Sequence, residues 1–508
     1  MRSAAIEYRP AVTAGGRGVS LGPILALWCV LAILGLGILW YNSGIGDSIR
    51  SFYILPWAFL TGLVVLAPSF YLYRIGKFDP FHPLVFAAWS YIFPAFVFGS
   101  VIIAFDWVDW FFMSFIDDPR YNLPLTLFYI SIGFMGLTAG YFLPIGRWGA
   151  ESITKFVPKW NWRPDQIWIP GIILVLLGFA INILGLIQGL LGFQRNIDIG
   201  AFDGLLSFLF IILTAGTVLL WLGIFAAKEK TGMYYVVLLV LLATIPLKMA
   251  LLGNRSSLIL SLIPIAFAFN YSGRKIRLQT ASVFGLLAVI ALFFGVAYGT
   301  TFRNIKGSEA RMNAGDYFGQ VVATVDYLLD EDPTVVFGDS AQALAYLIEN
   351  LSSVAIVVSN YEKLAPYEAS YGLENNITND LYTTFIPRFV WADKPQTSDA
   401  RAYSDLYFNF SENSFAISPF ADLLRNFGPI GVPLGMALLG IYLRLMYSTL
   451  IDTPTPALWK MVFYFSMLTV ISYEAFYATL FPFVVRTIFV LGISMLLVNV
   501  VVSMGRSK

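Results

Sequence analysis

The chain has 508 residues, of which 58% are hydrophobic, 17% aromatic and only 12% charged, with a formal net charge of +1. The charged share is about half that of a typical soluble protein, which excludes a soluble globular enzyme and points to an all-α integral membrane protein whose first partner is the lipid bilayer. A balance this close to neutrality supplies no field to draw nucleic acid, so no nucleic-acid partner is expected.

Single residues narrow the chemistry further. Cys29 is the only cysteine, which rules out intrachain disulfides and cysteine-based metal centres. His82 is the only histidine and falls at the start of an apolar run, so neither a zinc site nor a Ser-His-Asp triad facing the other side of the membrane has a histidine to use. No metal and no cofactor is called for.

In chain order, residues 1–20, with Pro10, Gly15, Gly16 and Gly18, read as a cytoplasmic tail ahead of a retained first helix. Runs of about 20 apolar residues span a bilayer. They fall near 21–41, 52–73, 82–104, 123–144, 168–189, 203–226, 233–252, 256–270 and 280–300, the first nine helices within 21–300. Three more follow within 428–502, near 428–450, 457–478 and 480–502, and residues 503–508 form a short tail. The total is about twelve, with the eighth run short enough to be re-entrant or to continue the seventh. Lys and Arg collect in alternate short loops, at Arg74 and Lys77, at Arg147, Lys155, Lys159 and Arg163, at Lys228 and Lys230, and at Arg274, Lys275 and Arg277. By the positive-inside rule both termini are cytoplasmic, and residues 301–427 form one large extracytoplasmic loop.

Inside that loop, Ala341–Val358 places Leu344, Leu347, Ile348, Leu351, Val354 and Val358 at helical spacing. This reads as an amphipathic helix lying along the membrane surface or capping a site. Long loops of this kind carry function more often than short ones. The loop and the outer helix ends gather cations, namely Lys248, Arg255, Arg303, Arg388, Lys394, Arg425 and Arg486. Each has an ordinary alternative, a snorkelling anchor or a solvated helix exit. Together they suit a pyrophosphate, because planar guanidinium groups bind phosphate oxygens in a bidentate way and neutralise a leaving group. Glu474 and Arg486 face each other across a short hairpin, either as a structural ion pair or in a direct role. Trp391 and Tyr382 could stack on sugar faces, although interfacial aromatic belts are common. Asp330-Glu331-Asp332 fits an Asp-x-Asp metal pattern but reads as a solvated turn before Pro333.

The stretch Phe385-Ile-Pro-Arg-Phe-Val-Trp-Ala-Asp-Lys-Pro395, with its Pro-Arg-x-x-x-x-x-Lys-Pro motif, is followed by Ile417-Ser-Pro-Phe-Ala-Asp422 and Arg425-Asn-Phe-Gly428. With Gly253-Asn-Arg-Ser-Ser257, these residues resemble the Wzy-type polymerases of O-antigen and exopolysaccharide repeat units. The resemblance implies a metal-independent polytopic glycosyltransferase, GT-C-like, in the bacterial inner membrane. It would join undecaprenyl-pyrophosphate-linked oligosaccharides outside the cytoplasm, with a chain-length regulator as a possible partner. It puts Arg255, Arg303 and Arg388 first on the pyrophosphate, supported by Lys394 and Arg425, with Lys248 and Arg486 close by. Related O-antigen ligases carry a histidine in this loop, and here there is none, so a carboxylate, Asp380, Asp422 or Glu374, must take the acceptor proton. A ligase-like transferase, a lipid-linked oligosaccharide flippase and an inactive scaffold are the competing readings.

Overall fold

The computed structural model describes residues 48–107, 110–191, 202–252, 257–273, 278–306, 314–386, 390–391, 394, 398–410, 415, 417–453 and 455–506. Among these residues the chain is helical, without strands. Ten helical segments among them are long and apolar enough to cross a membrane, which makes this a multi-pass membrane protein. The predicted first span at 21–41 lies outside the described residues.

The membrane helices that matter below are α1 (Leu55–Arg74), α2 (Pro83–Ala104), α3 (Pro119–Phe142), α4 (Trp168–Ile187), α5 (Ile211–Ala226), α6 (Gly232–Leu252), α7 (Ser257–Tyr271) and α8 (Leu278–Lys306). The α7 helix is a separate element and falls short of a full crossing. Through Ala88–Phe98 the α2 helix widens into π geometry around Pro94, whose missing N–H removes one α-helical bond.

Residues 301–427 are not an irregular loop. They fold into α9 (Ala314–Asp330), α10 (Pro333–Ile348), α11 (Leu351–Glu368), α12 (Asn376–Thr383) and α13 (Ala400–Phe408), and they already include the start of α14 (Pro419–Leu450). The chain ends in α15 (Leu458–Val470) and α16 (Tyr477–Arg506).

The single amphipathic helix expected over Ala341–Val358 is two helices that reverse at Glu349–Asn350. The Asn350 amide donates to the Ala95 carbonyl in the middle of α2 at 3.3 Å, and Glu349 accepts from the Ser352 amide at 2.7 Å and from its hydroxyl. From there α11 climbs past the end of α2, where Asn360 Nδ2 donates to the Phe115 carbonyl at 2.8 Å and Lys363 pairs with Asp117. Residues 351–358 are buried on every side, so this half is a core helix rather than a surface one. The apolar spacing that suggested one helix was the sum of two, joined where a carboxylate and a neighbouring carbonyl satisfy the new helix's first amides.

The bundle is centred on α3 against α14. Gly140 and Gly440 sit where the two backbones touch, since a Cβ on Gly140 would run into the Ala437 carbonyl and one on Gly440 into the Leu137 carbonyl. Small residues at such a seam let membrane helices approach closely and gain dispersion contacts.

Candidate functional site

The first turns of α14 carry the centre of the site. Ser418 caps the helix through the Phe420 amide, and Asp422 and Arg425, three residues apart, share a face. Arg425 Nη2 donates to Asp422 Oδ1 at 2.9 Å and its Nη1 pairs with Glu368 Oε1, at the end of α11, at 2.8 Å. The three side chains are 1%, 0% and 8% exposed. Arg425 also donates to the Leu373 carbonyl at 3.3 Å and to Asn376 Oδ1 at 3.0 Å, and its guanidinium carbon lies 6.0 Å from the centre of the Phe476 ring.

Asn376 opens α12 and locks it to α14. Its Nδ2 donates to Asp422 Oδ1 at 3.2 Å and to Ser398 Oγ at 2.9 Å, while its Oδ1 accepts from Asn426 Nδ2 at 2.8 Å. The other oxygen of Asp422 accepts the Ala478 amide at the start of α16, at 3.0 Å. Tyr407 on α13 donates to Glu368 Oε1 at 2.8 Å; burial first, and the Glu368 charge second, push its phenol well above the usual range, so it remains a donor. Four helices and the end of α11 therefore meet on one set of charges that water does not reach, where partial satisfaction would be costly.

One helical turn along α12 from Asn376 is Asp380, half-buried, whose Oδ2 accepts from Ser398 Oγ at 2.6 Å. Its charge acts on Arg486 of α16, and α12 packs directly on that helix. Arg486 lies over the Phe208 ring, 4.1 Å from its centre, a close cation–π contact. Lys394 Nζ donates to the carbonyls of Thr383 and Ile386 at 2.7 and 3.2 Å, folding the motif back over the end of α12. Phe385 meets Phe481 of α16 at 6.0 Å. Tyr382 on α12 and Trp391 beyond it are 63% and 38% exposed, and the Tyr382 hydroxyl donates to Asn379 Oδ1 at 2.6 Å.

The sequence-predicted set is thus divided. Asp380, Asp422, Arg425, Lys394, Arg486, Tyr382 and Trp391 come together around α12. Glu374 is exposed on the turn before it. Lys248 is on α6 and Arg303 on α8, two helices that contribute Leu251, Tyr298 and Phe302 to a separate cluster in which Phe302 stacks on Tyr298 and meets Tyr317 edge-on, and the Tyr317 hydroxyl donates to the Leu251 carbonyl at 3.2 Å. Beside that cluster a cavity of about 240 Å³ opens between α8, α9 and α10, lined by Asn304, Tyr327, Asp339 and Ser340 among others. Arg255 and Arg388 lie outside the described residues.

Two expectations change. Arg425 is sealed between two carboxylates, so it organises the site rather than facing a ligand, and Asp422, with both oxygens engaged and no exposure, cannot accept a hydroxyl proton from a substrate. The Glu474–Arg486 pair is not formed: Arg486 takes the face of Phe208, and Glu474 sits exposed in the break between α15 and α16. Desolvation by the surrounding protein nevertheless pushes the Glu474 carboxyl above its ordinary value. Sequence reasoning missed Glu368, Asn376 and Ser398. Asn376 lies between Glu374 and Asp380, two carboxylates that the sequence did put forward.

Apolar helices in this number, closed around a buried ionic cluster beneath a helical insertion, define a polytopic helical membrane protein with its candidate site at one end of the bundle. Residues 179–505 match the family model of a domain of unknown function, DUF8712, and the chain belongs to that family. No curated protein and no solved structure shows significant similarity to it.

Proposed function

We propose that the protein is a glycosyltransferase that polymerises lipid-linked oligosaccharide repeat units at the outer face of a bacterial inner membrane, using undecaprenyl-pyrophosphate-linked donors. The observation that carries this reading is the arrangement around α12. A half-buried carboxylate, Asp380, sits on α12, which packs on α16, the helix that carries Arg486, with Lys394 bonded to the end of α12, and a sealed network of Arg425, Asp422, Glu368 and Asn376 holds α12 in place. The sequence resemblance supplies the substrate class.

In this reading the terminal-sugar hydroxyl of one lipid-linked unit attacks the anomeric carbon of the donor sugar. The new C–O bond forms as the bond from that carbon to the pyrophosphate oxygen breaks, and the electron pair leaves on the pyrophosphate. Asp380 takes the hydroxyl proton, and Arg486 and Lys394 neutralise the departing charge. Tyr382 and Trp391 supply flat, exposed faces for sugars.

The test uses the purified protein in detergent, lipid-pyrophosphate-linked repeat units from the cells that make it, EDTA, and products resolved as a ladder. Wild type is expected to give the ladder, and Asp380→Asn to lose it by about a hundredfold or more, the scale of a removed general base. A full ladder from Asp380→Asn would remove Asp380 from the mechanism. No ladder from folded wild type would turn the reading toward a flippase or a scaffold.

A further inference from the structure

We propose that the end of the bundle remote from Arg425 holds a second binding site, for the anionic phosphate group of a phospholipid. From Gly428 to Leu450 the α14 helix runs about 33 Å at 1.5 Å per residue. There the segment between α3 and α4 meets the segment between α14 and α15 around a cavity of about 290 Å³. Its floor is indole. Trp160 stacks on Trp162 at 5.9 Å with 13° between the rings, and Trp459 meets Trp160 edge-on at 5.6 Å. Trp459 Nε1 donates to the Trp160 carbonyl at 3.2 Å, and Trp162 Nε1 to Asn499 Oδ1 on α16 at 3.1 Å.

These rings are not an ordinary interfacial belt. Belt tryptophans present their faces to lipid, whereas Trp162 and Trp459 are 5% and 4% exposed and both indole N–H groups are already bonded within the protein. The walls are therefore fixed before anything binds.

The charge bookkeeping identifies what is missing. Lys159 and Lys460 line the cavity. The acids on the segments that form it are each taken by an arginine: Glu151 by Arg147 at 3.4 Å, Asp165 by Arg163 at 3.0 Å and Asp452 by Arg444 at 3.4 Å. Among the described residues Lys460 has only the Thr449 carbonyl at 3.3 Å and the face of Trp459 at 5.9 Å, and neither lysine has a carboxylate. Two cations over a hydroxyl-bearing, aromatic-walled pocket call for a compact anion, and Thr453 and Thr455 add hydroxyl donors, whereas the Thr154 hydroxyl already donates to the Ala150 carbonyl at 2.6 Å. A phosphate fits this chemistry, and the apolar floor at the mouth of a membrane bundle favours one carried on acyl chains over one free in solution.

The experiment is native mass spectrometry of the full chain from detergent, titrated with phosphatidylglycerol, with diacylglycerol and with glycerol 3-phosphate. Phosphatidylglycerol is expected to be retained at one saturable site. Lys159→Gln/Lys460→Gln is expected to weaken that site about twenty-five-fold, near fivefold per lysine, while Lys155→Gln, outside the lining, leaves it unchanged. Glycerol 3-phosphate that displaces the lipid at equal affinity would assign the same phosphate site to a soluble ligand. Diacylglycerol binding as tightly as phosphatidylglycerol, or the double variant binding like wild type, would overturn the proposal. Matching thermal unfolding of the double variant without lipid guards against a folding defect.

Discussion

Replacing Arg425 with methionine removes the one cation from a pocket that holds two carboxylates. Its guanidinium is 1% exposed and meets Glu368 at 2.8 Å and Asp422 at 2.9 Å, while the Leu373 carbonyl loses that donor and Asn376 Oδ1 is left with Asn426 alone. Breaking a buried pair from one side leaves uncompensated charge and costs roughly 3–5 kcal/mol. At about 1.4 kcal/mol per factor of ten, that is a folding constant reduced by two to three and a half orders of magnitude. Titrating the detergent-solubilised protein with SDS and following tryptophan fluorescence reads this as an unfolding midpoint at lower SDS fraction. The decisive comparison is the triple variant Glu368→Gln/Asp422→Asn/Arg425→Met, which removes all three charges together. It is expected to recover most of the loss, because replacing a whole buried ionic group by neutral groups of similar volume is close to neutral. A single variant that unfolds with wild type, or a triple variant as unstable as the single, would refute the reasoning.

Other consequences are quicker to test. Gly140→Ala drives a methyl into the Ala437 carbonyl and is expected to cost about 1–3 kcal/mol by the same SDS titration, as overpacking does. Lys363→Ala removes a pair whose side chains are 62% and 56% exposed, and is expected to change stability by less than about 1 kcal/mol. Glu474 gives a pH dependence. Its folded-state pKa is raised above the ordinary 4.5, so the folded protein binds the proton more tightly, and stability falls as pH climbs from that value through the raised one. Glu474→Gln is therefore expected to unfold with wild type below pH 4.5 and at increasingly higher temperature than wild type as pH rises toward neutrality. A constant offset across pH would show that burial of the charge is not the cause.

Nine of the ten candidate membrane spans were legible, because about 20 apolar residues have few other uses; the tenth, Thr334–Thr383, lies inside the predicted extracytoplasmic loop, and the runs predicted at 256–270 and 457–478 give helices shorter than a full crossing. The insertion between α8 and α14 was not legible. Ala341–Val358 carries a helical apolar period straight through the reversal at Glu349–Asn350, and periodicity has no mark for a break whose amides are satisfied by Ala95 from another helix. In the site, Asp422 and Arg425 could be paired on paper because their spacing is local. Glu368 could not, since its place depends on how α11 returns beside α14. The expected partner of Arg486 was wrong for a related reason: a charge was weighed against charges, and the group it meets is the ring of Phe208.

The order in which this network closes has a consequence for biogenesis. Glu368 precedes α14 along the chain, Asp422 and Arg425 enter together within a single turn, and the last donor to Asp422 is the amide of Ala478. An inserting helix that brings its own counter-ion lowers the cost of placing either charge in lipid. Until Ala478 arrives the ion pair is seated with one carboxylate oxygen of Asp422 still without that donor, so α16 acts as the latch that completes the network.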